Sequence, residues 1–454
     1  MKSKTNIIIL LFICCLNNII AQENRVVVIK NVNVIPMTEN GVLEHKNVLV
    51  SNGKILKITD SISSYGVKPD LIIDGSGKYL IPGLSEMHYH WRNEEGGIIR
   101  DFNLLLANGV TTVRNMAEYD WQKQVNHVAI RDSVKKGLLR GPQYYTTGKY
   151  LQSGDLTSLE DVNRVMKAHH EKGYDFVKIA DNLPKTIYLN VLEQSNNYNI
   201  PVIGHAQREL PMEFSLRMKS IEHVEEFVYL FSDEQREDAA FLKHAIQQIK
   251  TSEVVVVPTL VVFDYIIQYI DDNQFIKLKS NALGQYMLYG DHNYWLSEDN
   301  PYRKDLKGKI IHGKPALDLL QGYYVWMKQF TKMLADADVP LMTGSDTFGF
   351  VVPGFSLHEE FQLMQSCGLS PFQILKAATV TPARYLKTFA VEGTVTEGKQ
   401  ANLVLLNKNP LEDIANTETI EGVMLKGTWY DRHALNEFLN QVKSINNHSK
   451  TNKQ

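Results

Sequence analysis

Two histidines separated by a single residue follow an apolar run in the first quarter of the chain. The run at 79–81 leads into a Pro-Gly pair, and His88 and His90 come shortly after it. On an extended strand, side chains two positions apart point the same way, so both imidazoles would face one point. On a helix, the same spacing would turn them apart. The pair therefore predicts two metal ligands at the end of a strand, although such pairs also arise by chance on surface strands.

More side chains of ligand type stand at the ends of later apolar stretches. They are Lys178, His205, His223 and Asp346. Taken singly, each has an ordinary structural explanation, such as a hydrogen-bonded core histidine, a cation paired at a rim, or a helix N-cap. Together with the first pair, they recur at the same end of several predicted strands. That recurrence favours one shared site over independent structural roles.

These side chains must be positioned by the strand and helix patterns that alternate between residues 82 and 387. After the histidine-bearing strand, apolar stretches predict strands at 109–115, 143–148, 176–179, 202–205, 220–223, 254–258 and 341–346. Helix start signals lie between several of them, such as Ser158 before an acidic first turn. Eight such repeats predict an α/β fold, a (β/α)8 TIM barrel with its site at the carboxyl ends of the strands. A doubly wound open sheet is the alternative, but the sequence lacks the Gly-rich dinucleotide loop that would support it.

Both ends of the chain have a different texture from this middle region. Residues 22–81 and 388–434 contain short strand patterns separated by turns such as Asn40-Gly41 and Asn52-Gly53. We expect the two ends to build one small β-sandwich domain together. Residues 435–454 predict a C-terminal helix and tail.

The first residues resemble a targeting segment. Lys2 and Lys4 precede an apolar run at 7–16, and Ala21 is a small residue before a plausible cleavage site. We expect residues 1–21 to be a signal peptide and the protein to be periplasmic or secreted. An N-terminal membrane anchor is the alternative, and a lipid anchor at Cys14 is disfavoured by the bulky Ile13. No later run approaches membrane-spanning length.

Composition sets further limits on function. The chain has 454 residues, 44% of them hydrophobic, and a formal charge of -3. That balance gives no electrostatic reason to expect a nucleic-acid partner. Of the three cysteines, Cys14 and Cys15 lie in the predicted signal peptide, so Cys367 alone would remain and could form no intramolecular disulfide.

Further short motifs accompany the candidate ligands. They are Ile81-Pro82-Gly83-Leu84, the GVTTVR stretch at 109–114, DFVK at 175–178, Glu222-His223, TGSD at 343–346, LHEE at 357–360 and GKQANLV at 398–404. Together they closely resemble the amidohydrolase superfamily, in its imidazolonepropionase-related and Xaa-Pro dipeptidase-like branch. That family usually has Asp where this chain has Glu86 and Asn402. Neither position is a metal ligand in the family, so we expect small effects on the site.

The resemblance implies two divalent metal ions. The more buried ion would be held by His88 and His90, and the more exposed one by His205 and His223. Lys178, carboxylated by carbon dioxide, would bridge the two ions, because a bare ammonium facing dications would be costly. Zinc suits these ligands best, with manganese or cobalt as alternatives.

Asp346 would be the catalytic acid and base by the same resemblance. It would bind the first ion, accept the proton of a metal-bound hydroxide and pass it to the leaving amine. Deaminases of the superfamily carry a Glu three residues after the histidine of the fifth strand, whereas this chain has Arg208 there. That difference, with the strand-four Lys178, favours hydrolysis of a small amide or dipeptide. A mononuclear deaminase, a cyclic amide or imide hydrolase, and a non-catalytic binding protein stay open as alternatives.

Substrate contacts are predicted more loosely. Arg208 and Tyr229 lie shortly after metal ligands and could bind a carboxylate or carbonyl of the substrate. The aromatic-rich segment 271–304 is either a lid over the site or a packed insertion. The sequence does not set the oligomeric state, and a homo-oligomer is compatible with it.

Overall fold

The computed structural model describes residues 25–61, 68–92, 97–122 and 125–451, with side chains described up to residue 446. The predicted signal peptide lies outside the described residues. The strands are, in chain order, β1 Val26–Val34, β2 Leu43–Ser51, β3 Lys54–Thr59, β4 Leu71–Asp74, β5 Tyr79–Pro82, β6 Leu84–Tyr89, β7 Val110–Asn115, β8 Gln143–Thr146, β9 Val177–Ile179, β10 Val202–Gly204, β11 Ser220–Glu222, β12 Val255–Val257, β13 Ile310–Ile311, β14 Lys314–Pro315, β15 Leu403–Leu406, β16 Ile420–Leu425 and β17 Thr428–Asp431.

The helices fill the intervals between these strands. They are α1 Gly97–Ala107, α2 His127–Lys135, α3 Leu159–Lys172, α4 Lys185–Tyr198, α5 Met212–Ser215, α6 Glu226–Leu230, α7 Asp233–Glu237, α8 Ala239–Thr251, α9 Leu260–Ile270, α10 Asp272–Leu278, α11 Tyr289–Trp295, α12 Pro301–Leu306, α13 Ala316–Asp336, α14 Phe355–Ser366, α15 Pro371–Ala378, α16 Val380–Tyr385 and α17 Arg432–Thr451. Two 3₁₀ helices lie at Ala282–Tyr286 and Ile414–Glu418. None of the helices within the described ranges is both long and apolar enough to cross a membrane.

The two chain ends meet in one eight-stranded mixed sheet. Its order is β17-β16-β15-β5-β1-β2-β3, with β4 beside β1. The antiparallel pairing of β5 with β15, in which Ile81 faces Val404, joins the N-terminal strands to the C-terminal ones. The turn between β2 and β3 has Asn52 and Gly53 at φ 52° and 74°, as a two-residue hairpin requires. The predicted partnership of the two ends in one β unit is therefore present, while its sandwich form stays a prediction.

The middle of the chain is a TIM-barrel-like α/β fold. Strands β6, β7 and β8 form one parallel sheet, and β9 to β12 form a second one in sequential order. A parallel bridge between Thr147 and Phe176 connects the last strand of the first sheet with the first strand of the second. Helices lie between successive strands, as right-handed crossovers need. Because all these strands run in parallel, their carboxyl ends lie on the same side of the fold.

The predicted eighth strand is wrong in its extent. Over 341–346 the regular ladder is reduced to a single bridge between Leu341 and Val256. The backbone then leaves the extended region, because Asp346 has a φ of 57°. It still donates from Asp346 N to His88 O at 2.7 Å, and Thr343 O accepts from Met87 N at 2.9 Å. The segment therefore lies against β6 and delivers Asp346 beside the histidine pair without forming a strand.

The segment 271–304 is a packed part of the molecule. Phe275, Tyr286 and Trp295 are buried there in a cluster with Tyr269 and Phe350. Helix α17 holds the cluster from the other side, since Asn446 donates to Gln285 O at 2.9 Å. Of the two interpretations of this segment, the packed insertion describes its state in the structure.

Candidate metal centre

The carboxyl ends of the parallel strands bring the six predicted ligands together around the Asp346 carboxylate. Its Oδ1 lies 3.1 Å from His90 Nε2 and 3.6 Å from His88 Nε2. Its Oδ2 lies 3.9 Å from His223 Nε2. His88, His90 and Asp346 place their ligand atoms within 4.8 Å of one another, as a shared metal ion would require. Three imidazoles from two strand ends therefore face one carboxylate.

The other two predicted ligands complete the cluster. The rings of His205 and His223 have centroids 4.8 Å apart, and those of His223 and His88 are 4.6 Å apart. Lys178 enters from β9, with its Nζ 3.3 Å from His88 Nε2. The lysine is thus beside the histidine that borders both halves of the cluster.

Each histidine is held by its second ring nitrogen. The Nδ1 atoms of His88, His90, His205 and His223 lie 2.7–2.9 Å from Glu222, Tyr119, Glu226 and Thr259 respectively. Such outer partners fix the orientation and tautomer of metal-ligating histidines. For three of the rings the opposite nitrogen, Nε2, faces Asp346. The arrangement leaves Nε2 free to bind a metal ion.

The tautomer of His223 follows from the bonds of its partner. The hydroxyl of Thr259 donates to Pro258 O at 2.8 Å, so its oxygen accepts from His223 Nδ1. With a proton on Nδ1, the neutral ring carries its lone pair on Nε2. His223 therefore presents an unprotonated Nε2 towards Asp346.

A buried ion pair supports His88 from below. Glu222 accepts from Arg114 at 2.7 Å while its other oxygen contacts His88, and both side chains are fully buried. Arg114 also donates to Met87 O, Ser220 Oγ and Tyr385 Oη. Because the carboxylate is paired on one side, it can hold the imidazole on the other without a large desolvation cost.

Burial sets the protonation states of the cluster. It lowers the pKa of His90 to about 4 and the pKa values of His88 and His223 well below the ordinary value. Burial alone would raise the pKa of Asp346, but the neighbouring imidazoles hold it well below the usual range. The pKa of the Lys178 amine is also lowered, chiefly by burial. Neutral imidazoles beside an ionised carboxylate are the states that divalent cations need in their ligands.

The backbone is strained at three positions of the cluster. His223, Thr259 and Asp346 have φ values of 71°, 50° and 57°, in the left-handed region that residues with a side chain rarely adopt. Each such residue costs roughly 1–3 kcal/mol and persists where the surroundings enforce it. His223 and Asp346 face each other across the cluster, and Thr259 bonds the outer nitrogen of His223.

Glu86 is a member of the site that sequence reasoning placed outside it. It accepts from His88 N, from Ser345 N and from the Ser345 hydroxyl, at 2.6–3.0 Å. Burial raises its pKa to about 7, against the lowering effect of these hydrogen bonds. Glu86, one methylene longer than the Asp usual in the family, thus connects the histidine-bearing strand to the segment that carries Asp346. Its sequence position, two residues before His88, was the available signal.

The two predicted substrate contacts, Arg208 and Tyr229, lie next to each other near His205. Arg208 donates from Nε and Nη2 to both oxygens of Glu226, at 2.8 and 2.6 Å, and Glu226 in turn holds His205. Burial alone would raise the pKa of Glu226, but these bonds lower it to about 2. Tyr229 lies under the same guanidinium, whose carbon is 4.1 Å from the ring centroid. In the structure Arg208 is bonded to Glu226 and Tyr229 packs on Arg208. Their predicted contact with a substrate stays a prediction.

A cavity of about 280 Å³ opens beside the cluster. Its wall includes His90, Thr347 and aromatic side chains from the segment 271–304. It is therefore continuous with the candidate ligands and large enough for part of a small organic molecule.

The chemistry of the donor set, with His88, His90 and Asp346 at its centre, fits a divalent metal ion. Imidazole and carboxylate are the donors that zinc and its neighbours in the first transition row prefer. The anchored Nδ1 atoms and the strained backbone give these donors a fixed geometry. Fold and site together define a TIM-barrel-like protein with a histidine–carboxylate centre at its strand ends.

The family is shown by comparison with known proteins. The model described as "Amidohydrolase family" matches residues 79–430, and the chain belongs to that family. It is therefore a hydrolase that acts on C–N bonds.

Solved structures of the same fold include a Xaa-Pro dipeptidase with bound methionine in its active site. It is 17% identical, with a TM-score of 0.66, over 89% of this chain and 100% of that one. A bottromycin amidohydrolase is 19% identical, with a TM-score of 0.69, over 92% and 90% of the two chains. Among curated proteins, a dihydroorotase of Carboxydothermus hydrogenoformans is 38% identical over 96 residues. The match spans about a fifth of each of the two chains, 20% of this one and 21% of the relative.

Proposed function

We propose that the protein is a binuclear metal-dependent hydrolase that cleaves a small amide or dipeptide-like C–N bond. The observation that carries the proposal is the common arrangement of the four histidines. Each has Nδ1 anchored to an outer partner. In three of them the other nitrogen, Nε2, faces the Asp346 carboxylate, which a histidine that only filled the core would not need.

The candidate ligands divide into two groups that suit two ions. His88, His90 and Asp346 would hold one ion, and His205 and His223 the other. Lys178 lies beside His88, with Nζ 3.3 Å from Nε2, as a buried amine with a lowered pKa. The uncharged amine would attack carbon dioxide: an N–C bond forms, one C–O π bond breaks, and a proton passes to solvent, which leaves an anionic carbamate. Two carbamate oxygens could then serve both groups.

The chain's own groups supply the proton transfers. When bound, the divalent ions would activate water at neutral pH and polarise the substrate carbonyl. The Asp346 carboxylate would accept a proton at one oxygen and deliver it to the nitrogen of the leaving group. Its pKa, held well below the usual range by the imidazoles, keeps it ionised before the reaction. Glu86 would hold the segment of Asp346 in place during this transfer, through its bonds to Ser345.

The substrate class is supported by the family and by residue 208. A dipeptide or N-acyl amino acid is our first candidate, in line with the dipeptidase fold neighbour. Hydrolysis of a cyclic amide is the second candidate, because the matching curated relatives are dihydroorotases. Deamination is disfavoured because Arg208 stands at the offset where deaminases have an acid.

Metal content and a substrate panel test the proposal together. Protein purified with bicarbonate should contain about two divalent ions per chain, and His88→Ala and His223→Ala should each lose metal. The panel holds Xaa-Pro and other dipeptides, N-acyl amino acids, cyclic amides and aminopurines. Amide cleavage with two ions supports the proposal. Two results would contradict the proposed function: release of ammonia from the aminopurines with no amide cleavage, or unchanged metal content in both variants.

We also propose that the parallel strands close into an eight-membered barrel and that the protein is exported. Closure is supported by the hydrogen bonds that link 340–346 to Val256 on one side and to β6 on the other. Export is supported by the N-terminal sequence pattern. N-terminal sequencing of native protein that still showed Met1 would contradict cleavage.

A further inference from the structure

We propose that a second cavity, at the amino ends of the parallel strands, binds a free amino acid with an apolar side chain, and that its occupancy affects His88 through Tyr385. The candidate metal ligands stand at the carboxyl ends of the strands, so this cavity is separate from the site described above. Its relation to the reaction rests on the proposed function, because hydrolysis of a dipeptide or an N-acyl amino acid releases a molecule of this class.

The cavity has a volume of about 520 Å³ and an apolar floor. Small-molecule sites usually measure roughly 300–1,000 Å³, so a single amino acid would fit. Val255, Leu341, Val380 and Tyr385 belong to the floor, and each keeps only 4–7% of its surface exposed. Val255 begins β12, and Leu341 begins the segment that leads to Asp346. An apolar side chain placed on this floor would be shielded from water.

The rim of the cavity carries two acidic and two basic side chains. Glu253 and Asp338 come from the turns before β12 and before Leu341, whereas Lys376 and Arg384 come from α15 and α16. All four are exposed, and among the described residues none of them has a partner of opposite charge within 4.0 Å. An ammonium and a carboxylate on one molecule would match the two pairs. A free amino acid combines both charges with an apolar body.

The two acids stand at positions that suit a cationic ligand. Each follows the C-cap of a helix, of α8 and of α13, and has a left-handed φ, 60° for Glu253 and 57° for Asp338. Glycine or asparagine is usual at such a position, and a negative charge is unfavourable beside the carbonyl end of a helix. An ammonium bound between these acids would reduce their repulsion with the helix carbonyls.

Tyr385 connects the floor of the cavity to the candidate metal centre. Its hydroxyl accepts from Arg114 Nη1 at 2.8 Å, and Arg114 Nη2 donates to Glu222 at 2.7 Å. The other oxygen of Glu222 lies 2.9 Å from His88 Nδ1. A ligand packed against the Tyr385 ring would restrict its movement and so hold the partners of His88 in their bonded positions. Occupancy of the cavity should therefore slow the loss of metal.

A binding titration on the metal-loaded protein tests the site, with acetohydroxamate present to block direct binding of the probes to the metals. The probes are L-leucine, 3-methylbutan-1-amine and 4-methylpentanoate, which share the apolar part and differ in charge. We expect leucine to bind at least about tenfold more tightly than either analogue. Asp338→Asn, which suits the left-handed backbone, and Arg384→Met should each weaken leucine binding by about tenfold. Asp305→Asn on α12 and Arg164→Met on α3 are matched exposed controls and should bind leucine as the wild type does.

The rate of metal transfer to a chelator measures the effect on His88. Leucine should slow the transfer by about fivefold in the wild type. It should still bind to Tyr385→Phe but no longer slow the transfer, because the hydroxyl that accepts from Arg114 is absent. In Asp338→Asn, leucine at the same concentration should have little effect on the transfer.

Each outcome decides one part of the assignment. Equal binding of leucine to Asp338→Asn, Arg384→Met and the wild type would overturn the site, and so would equal binding of leucine and its two analogues. Binding of leucine that leaves metal transfer unchanged in the wild type would overturn the connection through Tyr385. If leucine binds as expected but no amide of the panel is cleaved, the amino acid site stands and the proposed function fails.

Discussion

At the Nδ1 atom of each candidate histidine ligand, the structure supplies a partner from a different part of the chain. Glu222 and Glu226 come from the region of β11 and α6, whereas Tyr119 and Thr259 follow other strands. The ligands could be predicted because their spacing and strand-end positions repeat along the sequence. Their partners could not be, since a Tyr or Thr carries no such signal until the fold places it against an imidazole.

Lys178 should act through its carbamate and not through its charge. Lys178→Ala should lose most activity, roughly two orders of magnitude, and part of the bound metal, because the bridging anion is absent. Short carboxylic acids such as acetate should restore part of the activity by filling the same space. Lys178→Arg should stay inactive, since its guanidinium remains cationic. Activity and metal content are measured together.

The control for this prediction is Lys185→Ala, which removes an exposed lysine at the start of α4. It should keep wild-type activity and metal. Full activity in Lys178→Arg would exclude a bridging role.

Arg208 should affect metal binding at His205 through Glu226. Arg208→Met leaves Glu226 buried without its cation, so His205 loses a fixed partner. We expect metal affinity at this position to fall by roughly 10–100-fold, the usual effect of removing an outer partner. Competition with a chelator measures the change, and Arg217→Met, at an exposed position, serves as the control. If Arg208→Met and Arg217→Met bind metal with equal affinity, Arg208 does not have this role.

At the scale of elements, the residue before helix α9 positions a candidate metal ligand and does not cap its own helix. Thr259 precedes the helix, but its hydroxyl serves His223 and Pro258 and makes no cap to the helix. The N–H of Val261, which has no partner within the helix, donates instead to the Glu360 carboxyl of α14 at 2.7 Å. A fully buried carboxyl therefore replaces the local cap.

This substitution of caps predicts a pH dependence of stability. Burial raises the pKa of Glu360 from 4.5 to about 8. Because the folded pKa lies above the unfolded one, the folded state binds the proton more tightly. The free energy of unfolding should then fall as the pH rises between these two values. The loss should be on the order of a few kcal/mol, since one pKa unit corresponds to about 1.4 kcal/mol.

Glu360→Gln should remove this part of the pH dependence, because the amide cannot ionise and its oxygen still accepts from Val261. Urea unfolding of metal-free protein at pH 5 and pH 9 measures the difference. Glu213→Gln, at an exposed position on α5, should behave as the wild type. If Glu360→Gln loses as much stability between the two pH values as the wild type, the buried carboxyl is not the cause.

The same scale shows where sequence patterns stop being informative. Strands β7 and β9 to β12 lie inside the predicted stretches because a buried parallel strand is a continuous apolar run. The stretch 341–346 also begins with apolar residues, Leu341 and Met342, yet its regular pairing stops after Leu341. Gly344 has no room for a side chain, since a Cβ there would lie 2.7 Å from His88 N. Close approach of two backbones is a tertiary constraint, and apolar periodicity does not record it.

For the whole molecule, the sheet shared by the two chain ends supports the strand that carries the metal ligands. Strand β5 is separated from β6 by Gly83 alone, and Gly83 N donates to Asn402 O at 2.8 Å. A displacement of β15 would therefore move β5, and with it the adjacent strand β6 that carries His88 and leads to His90. The β unit and the barrel-like region are expected to unfold together.

Deleting residues 403–454 should test this coupling. The truncated chain loses β15, β16, β17 and α17, and exposes the buried faces of β5 and α1. We expect it to be insoluble or to lack a cooperative thermal transition. Deletion of 447–454 alone keeps Asn446 and its bond to Gln285, and should leave the melting temperature nearly unchanged. A cooperative transition in the larger deletion would show that the barrel-like region folds independently.

The pairing of β5 with β15 also sets the timing of folding. Ile81 meets its partner Val404 only after most of the polypeptide has been synthesised, so the last strand of the N-terminal group waits beside an open edge. Contacts between such distant residues form slowly, and unpaired edges attract other chains. For a polypeptide that is threaded through a membrane channel, the delay is an advantage, because the chain stays extended until its end has passed. If the protein is exported as proposed, the pairing of β5 with β15 would be among the last contacts to form.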